Sequence, residues 1–471
     1  MTPAAPALAR FVSALRFQDL PPAVVDAARR HLLDTFGVAI GGRAHANAQN
    51  ALRGLASADG AAGKVAVWGA GQRLSAGYAA LANGIAAHVL DFDDTHTDSI
   101  VHGSAIIAPV VMALGEERGT NGEDLIAAFV AGWEVAARVG LASHGTFHKR
   151  GFHTTSIAGV FGAAAAAARM LRLAPEETAH ALALAGSQAA GINEYLSNSS
   201  SAKSLHLGWS AHAGILAAIL AQSGMTGPTS VFEGRDGVLR AYGLPEECDA
   251  EQLDADLGSR WETTRISIKP YPCCHFAHAF VDCVGNLLAK GVVAAEIVSL
   301  HCVVPEIELA LICEPFEQKL KPATPYAAKF SLPYLLAARI ADGRIDHASF
   351  EPANIGRQEL LALAARVTYR VAGPDETPFP RTFPGWVEAR LADGRTVVER
   401  LAVNRGHPDN PLSLEEVAAK FRDNAAAALG DAGVGQVIAL VRSLPTAAAA
   451  DLARALAAPA SIHQLNRRKT P

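Results

Sequence analysis

Residues 88 to 105 read HVLDFDDTHTDSIVHGSA, with four aspartates, three histidines and two threonines ahead of the apolar run AIIAPVVMAL. Carboxylates at Asp91, Asp93, Asp94 and Asp98 beside imidazoles can hold a hard cation or move protons, and an acidic cluster can also be a solvated loop. The loop lacks EF-hand spacing, Gly sixth and Glu twelfth, and GINEYLSNSSSAK does not supply a partner metal motif. Gly103-Ser104-Ala105 opens a helix-like run whose N–H groups could receive an anion. The expectation is an acid–base site without a metal.

Two further stretches carry chemistry. SNSSSAKSLHLGWSAHAG sets Lys203, His206 and His212 after a Ser/Asn-rich loop, and Lys203 and His206, three apart, share a helix face. Lys203 there can clamp a substrate carboxylate. RISIKPYPCCHFAHAFVD puts Lys269 before a Pro-Tyr-Pro turn followed by Cys273, Cys274, His275 and His278. Vicinal cysteines are poor disulfide partners, so free thiols are expected, either packing as small hydrophobes or reacting. A fourth polar patch, HGTFHKRGFHTT, carries His144, His148 and His153.

The elements that position these residues follow from periodicity. Through about residue 260 the apolar residues of PPAVVDAARRHLLDTFGVAI, GEDLIAAFVAGWEVAARVG and SAHAGILAAILAQSG recur three and four apart, which predicts an all-α domain over 1–260. Beyond it ETTRISIKPYP, EIVSLHCVVPE, ARVTYRVAG and GWVEARLADGRTVVERLAV alternate apolar and polar residues, and LADGRTV carries an Asp-Gly hairpin signal. A smaller α/β lid domain over 261–403 is expected, with C-terminal helices over 404–471 returning to the helical domain, where Ser413 and Glu416 have capping-box spacing. The fold class is mainly α with α+β.

Composition narrows the partners. With 471 residues and 50% hydrophobic content there is ample material for a large core, and only 6% aromatics favours closely packed helices. A formal charge of −5 gives no basic footprint for nucleic acid. Six cysteines with no CxxC pair indicate neither a zinc site nor a disulfide framework, and reduced thiols fit a cytoplasmic protein. There is no signal-peptide pattern, and the longest apolar run, 157–168, falls short of the ~20 residues of a bilayer span, so no membrane partner is expected. Nucleotide-cofactor, P-loop, HExxH and GxSxG motifs are absent.

Taken together, HVLDFDDTHTDSIVHGSA, GFHTTSIAGVFGAAAAAARML, KSLHLGWSAHAGILAAILAQSGMTGPTSVFEGRDG, KPYPCCHFAHAFVD, AAKFSLPYLLAARIADG and HPDNPLSLEEVAAKF resemble the MmgE/PrpD family. That family includes 2-methylcitrate dehydratase, cis-aconitate decarboxylase and iminodisuccinate epimerase. The resemblance implies a large helical domain with a smaller α/β lid, an active site between them, a homodimer, and catalysis with no cofactor. Residue by residue, Asp91, Thr95 and His102 match the family's first motif, Lys203 its K-x-L-H lysine and Lys269 the lysine of its lid turn; Cys274 stands where the decarboxylase pattern has histidine.

The implied chemistry moves a proton at carbon next to a carboxylate of a small di- or tricarboxylate. Such a step needs fixed cations for the enolate-like charge and a base of suitable pKa. Lys203 and Lys269 suit the first task, and His102, oriented by Asp91, the second. Asp93, Thr95, His153, His206, His275 and His278 are the expected substrate contacts. Cys274 as a second acid–base group would favour epimerisation of a dicarboxylate such as iminodisuccinate. Dehydration of the 2-methylcitrate type, cis-aconitate decarboxylation, and a non-catalytic helical scaffold are the alternatives.

Overall fold

A computed structural model describes residues 3–60, 63–197, 200–373, 375–379 and 382–457. Asn198 and Ser199 of the Ser/Asn-rich loop, and the chain from residue 458 on, lie outside the described residues. The chain divides into two compact units, one running to Ile268 and resuming at Ser413, the other spanning Lys269–Leu412. The fold is mainly α with α+β elements, as the periodicity indicates.

The first unit is helical. Helices Ala76–His88, Ser104–Arg118, Gly122–Ala142, Thr154–Met170 and Ala202–Gln222 pack on one another, and Leu414–Arg442 packs on Pro22–Gly42. Small residues set the spacing: the alanines from Ala163 to Ala168 are all buried. Where Ala76–His88 meets Ala202–Gln222 the backbones nearly touch. A Cβ on Gly84 would lie 2.9 Å from the Gly208 Cα, and one on Gly208 only 2.4 Å from the Leu81 carbonyl oxygen. Only glycine fits that crossing.

Helix ends follow local chemistry. Pro22 and Pro175 take the first turn of their helices, where no N–H is required, and the Asn121 side chain caps Gly122–Ala142 by accepting from Asp124 N at 3.0 Å. The Ser413–Glu416 capping box forms reciprocally, at 2.8 Å and 3.2 Å. The same Leu414–Arg442 helix is interrupted at Gly430, whose backbone is non-helical at φ +67.

Among the described residues, the helices Gly122–Ala142, Ala202–Gln222 and Leu414–Arg442 are by length and composition apolar enough to cross a membrane, although none is an unbroken apolar run. Gly122–Ala142 uses that character inside the protein: 94% of its most apolar 18-residue stretch is buried.

The second unit holds a four-stranded mixed sheet. Ile297–Val304 lies between Val367–Val371, which it pairs in parallel, and Gly385–Leu391, which it pairs antiparallel. Gly385–Leu391 and Thr396–Leu401 form the hairpin signalled by LADGRTV, with Gly394 at φ +88 in its turn. The helices His278–Ala289 and Leu332–Asp342 join the sheet in an apolar core that includes Phe280, Leu300, Leu335 and Val387.

ETTRISIKPYP reads as strand but forms a 3-10 turn, Glu262–Arg265, and a single antiparallel bridge from Ser267 to Thr95. Long-range hydrogen bonds override the alternation: the Glu134 carboxylate accepts from Glu262 N at 3.1 Å and from Thr263 N at 2.9 Å, and Glu262 accepts from His96 Nε2 at 3.1 Å.

Candidate active site

The segment 89–103 runs from the end of helix Ala76–His88 to the start of helix Ser104–Arg118. It is held from below by its own polar residues. Asp94 is fully buried, accepting from His31 Nδ1 at 2.7 Å and from Ser104 Oγ at 2.5 Å, while Ser104 accepts from Trp133 Nε1 at 3.0 Å. Lys420, on the returning C-terminal helix, pairs with Asp34 at 2.7 Å, donates to the Phe92 carbonyl at 3.0 Å and stands over the Phe92 ring. His96 is buried between Ser99 and Glu262. Asp98 is exposed and pairs with Arg265 at 2.7 Å. Asp94, His96 and Asp98 therefore shape the segment.

The remaining polar groups converge. Asp91 takes the left-handed conformation at φ +55, tolerable for Asp, and its Oδ1 lies 2.8 Å from Lys203 Nζ. His102 Nδ1 lies 2.9 Å from the Asp94 carbonyl oxygen and 3.0 Å from Thr95 Oγ1. A carbonyl only accepts, so this nitrogen carries the hydrogen and Nε2 is the atom that takes up or releases a proton. The Asp93 carboxylate lies 3.8 Å from Nδ1.

Two more imidazoles complete the cluster. His153, at the N-terminus of helix Thr154–Met170, is buried, and its Nδ1 lies 3.1 Å from Nδ1 of His206. A contact between two ring nitrogens needs one donor and one acceptor, so at least one ring is neutral. Burial pushes His206 down to about 4, helped by His88 and Lys203. His153 is held well below its ordinary value, first by burial and then by Lys203, His88, His102 and His206. These two are neutral donors and acceptors at pH 7.

Asp91, Asp93, Thr95, His102, His153, Lys203 and His206 are thus brought together in the first unit. His144 and His148, singled out with His153, are exposed, and His148 bonds Asn193. His212 stacks on Trp209 instead. Two members of the cluster were not foreseen. His88 ends its helix with Nδ1 2.8 Å from Asp93 Oδ2, its ring 5.1 Å from that of His102. Tyr195 packs 5.8 Å from His153 and 5.9 Å from His206, its hydroxyl held above its usual range by burial and by Asp91, against Lys203. His88 opens the polar stretch and lies five residues before Asp93, which was the available signal; nothing in GINEYLS marks Tyr195.

Lys269, Cys274, His275 and His278 belong to the second unit. Lys269 is its first residue and is buried. His275 Nε2 accepts from Asn404 Nδ2 at 3.0 Å, His278 Nε2 donates to the Cys273 carbonyl at 3.2 Å, and the two rings lie 5.0 Å apart. Cys273 and Cys274 are buried members of the apolar core, with no disulfide among the six cysteines. Cys274 N donates to the Lys329 carbonyl at 2.9 Å.

A helical unit presenting a carboxylate–lysine pair and an imidazole cluster, followed by an inserted α/β unit, defines the class. The chain belongs to the MmgE/PrpD family: residues 6–251 match the MmgE/PrpD N-terminal domain and residues 271–445 the MmgE/PrpD C-terminal domain. It is 30% identical over 386 residues to human cis-aconitate decarboxylase, covering 80% of this chain and 79% of that one. It is 26% identical over 455 residues to cis-aconitate decarboxylase of Aspergillus terreus, covering 93% and 92% of the two chains. A cis-aconitate decarboxylase-like protein, oryM of Aspergillus oryzae, is 24% identical over 458 residues, covering 94% of each.

Proposed function

We propose that the protein is a lyase that removes carbon dioxide from a small unsaturated tricarboxylate of the cis-aconitate kind. The observation that carries this reading is the pairing of Lys203 with Asp91 beside His102 and its carboxylate partner Asp93. A substrate carboxylate would take the Lys203 ammonium in exchange for Asp91. As the C–C bond to the departing carboxylate breaks, its electron pair stays on the carbon skeleton, and the proton that quenches it comes from Nε2–H of the His102 imidazolium. Asp93 favours that cation before transfer, and the Asp94 carbonyl keeps hydrogen on Nδ1 throughout. His153 and His206, neutral, hydrogen-bond substrate oxygens without adding charge.

The related decarboxylases move the weight from the epimerisation favoured by the sequence to lyase chemistry. Incubation in D₂O with cis-aconitate, iminodisuccinate and 2-methylcitrate, followed by NMR, tests the reading. Carbon dioxide release from cis-aconitate with one deuterium in the product is expected. Deuterium wash-in with inversion of iminodisuccinate, or water loss from 2-methylcitrate, without CO₂ release, would replace it.

A homodimer belongs to the same proposal. Leu205, Trp209, Leu216 and Ile219 leave an apolar face exposed along the helix that carries Lys203, and a second copy would cover it. Sedimentation of the full chain at twice the monomer mass is the expected result.

A further inference from the structure

We infer that His88 is a positioning residue for proton transfer at His102, a role that rests on the lyase reading above. His88 is 2% exposed, and its Nδ1 lies 2.8 Å from Asp93 Oδ2, the same oxygen that lies 3.8 Å from His102 Nδ1. Two imidazoles therefore share one buried carboxylate oxygen. The carboxylate only accepts, so neutral His88 carries its hydrogen on Nδ1. Its Nε2 is buried and hydrogen-bonds nothing among the described residues. His88 Nδ1 is a fixed donor to Asp93.

The consequence falls on Asp93. With His88 donating, Oδ2 is anchored facing His102, and the negative charge stands where the His102 cation forms. Without that donor a buried carboxylate can rotate away, and the His102 ring loses the charge partner that complements its Asp94 contact. His88 also packs 6.1 Å from the His153 ring, so it braces the cluster as well as the carboxylate.

A metal triad is the competing use of the same groups. Ligand atoms of His88, Asp93 and His102 lie within 4.8 Å of one another. Binding through His102 Nδ1 would need a lone pair where the Asp94 carbonyl at 2.9 Å holds a proton, which leaves a metal only Nε2, the nitrogen that proton transfer uses. The geometry points to a proton-bearing triad.

The test compares the full-length wild type with His88→Leu and His88→Asn, since the Asn amide places an N–H where Nδ1 stands and Leu does not. On cis-aconitate, His88→Leu should lower kcat by about tenfold to a hundredfold with KM little changed, and His88→Asn should recover most of it. By ¹⁵N NMR, His102 should keep its hydrogen on Nδ1 in both proteins, held by the Asp94 carbonyl, while its imidazolium should form at a lower pH in His88→Leu than in the wild type, because Asp93 no longer faces it. Equal loss in both variants, unchanged kcat in His88→Leu, or an unchanged His102 titration would overturn the role. Stoichiometric Zn²⁺ uptake by the wild type, lost in His88→Leu, would overturn it in favour of the metal triad. If the wild type does not turn over cis-aconitate the lyase reading fails, and the NMR arm still decides His88.

Discussion

His102 Nδ1 lies 2.9 Å from the backbone carbonyl oxygen of Asp94, and this contact decides which ring nitrogen can exchange a proton. His102→Gln keeps a donor for that carbonyl but cannot titrate. Turnover, followed by NMR of substrate consumption, should fall by about 10²- to 10⁴-fold, the usual worth of a general acid or base. Near-normal turnover would remove His102 from the mechanism.

Asp91 combines an ion pair with a left-handed backbone at φ +55. Asn tolerates that conformation and Ala does not, so Asp91→Ala should unfold about 1 kcal/mol more easily than Asp91→Asn. Both lose the charge opposite Lys203, so their activities should fall together. Equal denaturant midpoints for the two variants would contradict the backbone argument.

At the helix crossing, Gly208→Ala would place a methyl group 2.4 Å from the Leu81 carbonyl oxygen. Backbone cannot yield as a side-chain tip can, so a loss of about 1–3 kcal/mol is expected from overpacking. Because the helices concerned carry His88 and Lys203, activity should fall further than stability alone accounts for. Thermal unfolding beside a kcat measurement separates the two effects.

His206 titrates at about 4 in the folded protein and near 6.5 when unfolded. Between those values the unfolded chain holds a proton that the folded one lacks, so this contribution is present above about 6.5 and is lost as pH falls toward 4, at up to ~1.4 kcal/mol per pH unit. Asp34, raised to about 6, and Glu308, raised to about 9, both by burial, act with the opposite sign. The informative quantity is therefore the stability difference between wild type and His206→Gln. It should move against the wild type between pH 7 and pH 4.5, and a constant difference would count against a depressed His206.

Cys274 lies in the apolar core of the second unit. Cys274→Ser should lower stability by about 1 kcal/mol or more, through burying a hydroxyl, while turnover per folded molecule stays within about threefold. Loss of turnover with unchanged stability would return the thiol to the chemistry and epimerisation with it.

What the sequence made legible was periodic or short-range. Pro22, Pro175, the Ser413–Glu416 box and the Asp393-Gly394 hairpin are local devices, and each forms. Lys203, His206 and the 88–105 stretch stood out because polar chemistry is conspicuous in an alanine-rich chain, and the structure gathers them. Tyr195 was illegible because its place depends on contacts with His153 and His206 from other segments. ETTRISIKPYP misled because Glu134, more than a hundred residues earlier, supplies the hydrogen bonds that a strand neighbour would otherwise have supplied.

The bracing of the 89–103 segment by His31, Ser104 and Lys420 has a consequence for heat inactivation. These bonds reach the helices Pro22–Gly42 and Leu414–Arg442, so the segment cannot melt ahead of the domain that carries it. Activity and global structure should disappear at one temperature, without a preceding phase of folded but inactive protein.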